Sequence, residues 1–164
     1  MAQIADETVK QGTKIAVSID AIGCNLYRLP SDLIHPDRMF TPGGVDLIDA
    51  VERYIEKKYD LQTGRLFANI LLKSIGSVIP LNPEITTTFD SVQLSSIEVR
   101  EAIALLIRIM LQNIVEDISL IVSKLRTSNE DLSDTIIILR GEFSYLRGLD
   151  RWIEEATGLK VIVE

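Results

Sequence analysis

Between Thr135 and Val163 the chain passes through an apolar run, a helical pattern and a second apolar run in close succession. Thr135-Ile136-Ile137-Ile138-Leu139, bounded by turn signals, has the composition of a strand buried on both faces. Gly141 opens a turn, Ser144 to Ala156 follows helical spacing, Gly158 ends the helix, and Val161-Ile162-Val163 reads as a strand. Two strands joined by a helix pair in parallel with a right-handed crossover. This fragment by itself excludes all-helical and all-sheet folds and sets the class as α/β.

Upstream, Thr13 to Asp20 alternates with Ile15, Val17 and Ile19 on one side, which predicts a strand ending at the turn around Gly23. A second extended segment runs from Asn25 towards Ile34, and Pro30, Pro36 and Pro42 then allow only edge strands or loops as far as Gly43-Gly44. Leu47, Ile48, Val51 and Ile55 give Val45 to Tyr59 one apolar helical face. A second helix is expected over Thr63 to Ile75, with Leu66, Ile70 and Ile75 as its apolar positions, Thr63 as N-cap and Gly76 as stop. Glu84 to Leu94 reads as a hairpin turning at Asp90-Ser91. Ser95 or Ser96 then caps a helix through Leu125, whose about 30 residues would span roughly 45 Å. That length predicts a bend or break in a domain of this size.

The chain has 46% hydrophobic residues, enough for one core, and residues 13–164 read as one domain behind a tail at 1–12. A net charge of −7 without a basic stripe argues against nucleic acid. Cys24 is the only cysteine, so no intramolecular disulfide forms and a cytoplasmic setting is expected. The tail carries no apolar run of the signal-peptide kind. The most apolar stretch, Ile103 to Met110, is broken by Arg108, and direct membrane insertion is not expected.

Three segments resemble, in order, the MreB-type bacterial actins and more distantly the actin and Hsp70 ATPase superfamily. They are Gly43-Gly44-Val45-Asp46 with the helix through Tyr59-Asp60-Leu61, then Ile75-Gly76-Ser77, then "LRGEFSYLRGLDRWIEEATGLKVIV", which is similar to the family stretch "LTGGGALLRGLDRLLEEETGLPVVV". The resemblance covers the second of the family's two ribonuclease H-like domains. It implies an actin-like half-fold, a mixed sheet with packed helices, lacking the half that carries the first phosphate loop.

The resemblance also locates a nucleotide site, and this sequence departs from it at each point. The second phosphate loop falls on Ser18 to Asn25, where Ile22 replaces a glycine and only Asp20, Gly23 and Asn25 stand as vestiges. Glycines serve there because backbone N–H groups must approach phosphate oxygens closely. Gly43 and Gly44 remain, but Val45 replaces an acidic residue. The family's Glu and Lys on the second helix fall on Asn69 and Leu72. The glycine turn keeps Gly141 and becomes Gly141-Glu142-Phe143, adding bulk and negative charge. No cofactor, no metal and no enzymatic activity are expected.

The solitary His35 reads as a loop residue, and no nucleophile-elbow, Walker or EF-hand pattern occurs. The expected function is a non-catalytic protein–protein module, engaging an actin-like filament, another partner or a second copy; the alternative is a weak ATP-binding half-domain completed by a separate chain. Because the helix from Ile97 to Leu125 has only a narrow polar stripe, Met110, Ile114, Ile118 and Ile121 are interface candidates, with burial inside the domain as the competing expectation.

Overall fold

A computed structural model describes residues 13–29, 38–128 and 132–164. The tail at 1–12, His35, Pro30, Pro36 and part of the linker before Asp134 lie outside the described residues. The elements are β1 (Lys14–Ile19), β2 (Cys24–Leu29), β3 (Arg38–Phe40), α1 (Gly44–Tyr59), α2 (Gly64–Ile75), β4 (Thr86–Phe89), β5 (Val92–Ser95), α3 (Ser96–Thr127), β6 (Ile136–Arg140), α4 (Leu149–Thr157) and β7 (Lys160–Val163).

Five strands form one sheet in the order β3-β2-β1-β6-β7. β1, β2 and β3 make an antiparallel meander, while β1, β6 and β7 are parallel, with Val17 opposite Leu139 and Ile138 opposite Ile162. The alternation in β1 sends Ile15, Val17 and Ile19 to one face. There they join Cys24, Leu26, Ile137 and Leu139 and the inner faces of the four helices in one apolar cluster. The β4–β5 hairpin is a separate two-stranded sheet that turns at Asp90 and Ser91, both with positive φ.

Helix α3 runs unbroken over 32 residues, which corrects the expected break. Its length is used: it packs against α1, α2, α4, β2 and β5, so one rod ties the hairpin region to the main sheet. Ser95 is its N-cap, and Glu98 accepts from the Ser95 amide at 2.8 Å and from the Ser95 hydroxyl, closing a capping box. Met110 and Ile114 are fully buried and Ile118 is 2% exposed, so these three are core and not an outer surface; Ile121 is half-buried against the same core. Their spacing of four residues points them between the sheet and α1, so burial inside the domain, and not an interface, is their role.

Two further expectations are corrected. The helix expected from Ser144 begins only at Leu149. Residues 144–147 cannot join it because Arg147 is already paired across the fold: its carbonyl accepts from the Val78 N–H at 2.9 Å, its N–H donates to the Gly76 carbonyl at 3.4 Å, and Ser77 and Arg147 form an isolated bridge. On α2 the buried face is Ala68, Leu71, Leu72 and Ile75, whereas Leu66 and Ile70 are 77% and 52% exposed. Thr63 precedes α2 but makes no capping hydrogen bond.

Candidate functional site

The C-terminal ends of β1 and β6 lie side by side, and the loops that leave them meet the start of α1. The β1 loop is a tight turn closed by the Asp20 N–H donating to the Gly23 carbonyl at 3.0 Å. The first amides of α1, which at a free helix start can hold an anion, are directed into that turn. Gly44 N–H donates to the Asp20 carbonyl and Val45 N–H to the Ala21 carbonyl, each at 2.9 Å. Asp46 closes its own helix start by accepting from the Gly43 N–H at 2.8 Å.

The β6 loop completes the closure. Phe143 is 1% exposed and its ring lies directly on Gly44, so a Cβ added at Gly44 would fall inside the ring carbons Cε2, Cδ2 and Cζ. The Phe143 N–H donates to the Ile19 carbonyl at 3.1 Å, drawing the turn onto β1. Gly141, at φ +101°, is required there twice over: its backbone angle is left-handed, and a Cβ would stand 2.5 Å from the Ile19 carbonyl oxygen. Gly43 is held equally close, a Cβ falling 2.7 Å from the Ile22 carbonyl oxygen.

The structure thus gathers Asp20, Gly23, Gly43, Gly44 and Gly141 at one end of the sheet. Asp20 is exposed and accepts from the Ser18 hydroxyl at 2.9 Å. Asn25 stands apart, inside β2 opposite Ser18. Ile22, expected to crowd the phosphate path, points outward at 76% exposure, with Met39 and Val45 also exposed nearby. Val45 is therefore at the surface and not a packing residue.

Beside this closed end lies an open cleft of about 480 Å³ lined by Lys73, Glu142, Tyr145 and Arg147. Lys73 Nζ meets Glu142 Oε1 at 2.8 Å across it. The Tyr145 hydroxyl is buried with no hydrogen-bond partner among the described residues, and burial, with the Glu142 charge, raises its pKa to about 12, so it stays protonated. Asn69, one turn before Lys73 on α2, also has a buried, unpartnered Oδ1. Counting back from Ile75 points to Leu72 as the place of a lost lysine, yet Leu72 is core and the residue facing the cleft is Lys73. The phase of α2 carries that signal: with Leu71, Leu72 and Ile75 inward, position 73 must point out. Tyr145 and Arg147 have no signal in the sequence, because their placement depends on the Gly76–Arg147 pairing. Among the described residues no cluster of His, Cys, Asp and Glu could hold a metal ion, and no helix is long and apolar enough to cross a membrane.

A five-stranded sheet in this order, with the loops after β1 and β6 meeting the start of α1, defines the chain as an actin-like half-fold. Residues 34–164 match the family model for the MreB/Mbl protein, and the chain belongs to that family. No curated protein matches the chain in sequence. Among solved structures it is similar to MreB5 of Spiroplasma citri bound to AMPPNP, with 20% identity and a TM-score of 0.63 over 93% of this chain and 48% of that one. It is similar also to the MamK double helical filament, with 18% identity and a TM-score of 0.71 over 92% of this chain and 49% of that one. A chain of the PilM-PilN type IV pilus biogenesis complex matches with 18% identity and a TM-score of 0.60 over 94% of this chain and 36% of that one. The chain spans about half the length of the first two.

Proposed function

We propose that the chain is a non-catalytic, actin-like protein–protein module working in a cytoskeletal or scaffold assembly. The observation that carries this reading is the Phe143 ring seated on Gly44, with the first α1 amides turned into the Asp20–Gly23 loop. The amides of Gly43, Gly44 and Val45 that open α1 are already donated to Asp46, Asp20 and Ala21, so the helix start does not present them bare to a phosphate. MamK in its filament and the PilM-PilN complex share the fold, which supports contact with proteins as the role of this one. A cytoplasmic setting goes with this reading, supported by the lone buried Cys24 and by the family.

The alternative, a weak nucleotide-binding half completed by a separate chain, draws support from the cleft beside Lys73 with its unpartnered Tyr145 hydroxyl. Thermal unfolding with and without Mg-ATP separates the two. A ligand at 100 times its dissociation constant stabilises by about 2.7 kcal/mol. We expect no change in melting temperature at millimolar Mg-ATP; a dose-dependent rise would overturn the non-catalytic reading in favour of the alternative.

A further inference from the structure

The main sheet is open, and among the described residues its order leaves β3 and β7 as edges. β3 has three residues, whereas β7 is the four-residue run Lys160-Val161-Ile162-Val163. Its three apolar residues are all β-branched, and Ile162 and Val163 are 40% and 47% exposed. An edge of that composition is a template on which another extended chain can pair, through the amides and carbonyls that the sheet itself leaves unused.

Which amides those are follows from the pairing with β6. The Glu164 N–H donates to the Leu139 carbonyl at 2.9 Å, and successive amides along a strand turn to opposite sides. Ile162 therefore also faces β6, while Val161 and Val163 face outward. The Val161 N–H is nonetheless taken: it donates to Glu154 Oε1 at 2.9 Å. Glu154 reaches it from the last turns of α4 because the connection to β7 is short. Gly158, at φ +70°, donates its N–H to the Glu154 carbonyl at 2.8 Å, and the Leu159 N–H donates to the Thr157 hydroxyl oxygen at 3.3 Å. The chain doubles back there, and β7 runs past the helix end that carries the carboxylate.

Those backbone and hydroxyl bonds already close the turn, so the Glu154 side chain is not required to make it. An amide on the open side of an edge strand can also be served by water. A carboxylate there does two things that water does not. It holds the donor that an incoming strand's carbonyl needs, and it sets negative charge where that carbonyl oxygen would have to stand. We infer that Glu154 is a guard on the β7 edge, which keeps the sheet from accepting a further strand from an extended chain. The inference goes beyond the interaction-module reading and does not depend on which partner that module binds.

The probe is a fluorescently labelled peptide with the sequence of residues 158–164, the strand that an addition at this edge would repeat, titrated with the intact chain and followed by anisotropy. Glu154→Ala should bind it at least about tenfold more tightly than wild type, the equivalent of about 1.4 kcal/mol. Its Val161 amide should exchange with solvent at least about tenfold faster by NMR. Adding Val163→Pro, which removes the other outward amide and no bond to β6, should return peptide binding to the wild-type level. Equal binding or none by wild type and Glu154→Ala, a gain that Val163→Pro leaves in place, or an unchanged Val161 exchange rate would overturn the inference. So would a Glu154→Ala chain that no longer folds by circular dichroism, because the carboxylate would then hold the domain together and not guard its edge. The interaction-module reading stands or falls separately, on its nucleotide test.

Discussion

The ring of Phe143 occupies the space that a Cβ on Gly44 would need, so that residues 99 positions apart in the chain close one end of the sheet between them. A methyl group at position 44 would overlap a ring that is buried and has nowhere to move. Gly44→Ala should therefore destabilise the domain by about 1–3 kcal/mol, the usual cost of overpacking. Phe143→Leu should relieve part of it, leaving a coupling of about 0.5–3 kcal/mol in a double-mutant cycle read by urea unfolding. Strict additivity would mean that the two positions do not touch.

Gly141 makes a similar but separable case. Its φ of +101° and the Ile19 carbonyl oxygen, 2.5 Å from where a Cβ would stand, oppose any side chain. Gly141→Ala should cost more than about 1 kcal/mol, and Gly141→Asn should fare no better, since the difficulty is space as well as backbone angle. Equal stability of Gly141→Asn and wild type in chemical denaturation would count against this placement of the turn.

Two carboxylates make stability depend on acid pH. Arg100 and the Ser96 hydroxyl donate to Glu84, and together with the Leu81 amide they overcome burial and lower its pKa from 4.5 to about 2. Burial acts to raise Glu98, but the Ser95 hydroxyl and amide and the Tyr59 hydroxyl outweigh it and lower its pKa from 4.5 to about 2. A carboxylate whose folded pKa lies below its unfolded one stabilises the fold above the unfolded value. That contribution is lost as pH falls from about 4.5 towards about 2. Glu84→Gln and Glu98→Gln should each flatten the fall in melting temperature across this window, and an unchanged slope in the double variant would refute the assignment.

The exposure pattern of α2 and α3 predicts a sharp contrast in stability. Leu66→Ser and Ile70→Ser should change unfolding free energy by less than about 0.5 kcal/mol. Met110→Ala and Ile114→Ala, at positions with no exposure, should cost about 2–5 kcal/mol each. A reversal of that order would invert the facing of both helices.

The ion pair across the cleft should contribute little to folding. Lys73 and Glu142 are 43% and 51% exposed, where salt bridges are worth about 0–1 kcal/mol. Lys73→Met should leave the denaturation midpoint nearly unchanged, and a large loss would mean that the cleft is structural.

What the sequence determined by itself is local. The alternation in β1, the apolar runs of β6 and β7, the α1 face, the turn at Asp90-Ser91 and the Ser95–Glu98 cap each arise from residues within a few positions of one another, so their physics can be read along the chain. The long family-like stretch from Leu139 to Val163 added the actin-like half-fold and its mixed sheet. Tertiary structure decided the rest, because it depends on which distant segment claims a given surface or hydrogen bond. Residues 144–147 read as helix until Gly76 and Val78 claim the backbone of Arg147. Met110 and Ile114 read as surface or core with equal right until the sheet and α1 cover them, while Leu66 and Ile70, apolar to the same degree, are left outside because Leu71 and Leu72 already fill the inward side of α2. An apolar side chain records that burial is favourable; only the packed neighbours decide whether the chain itself supplies it.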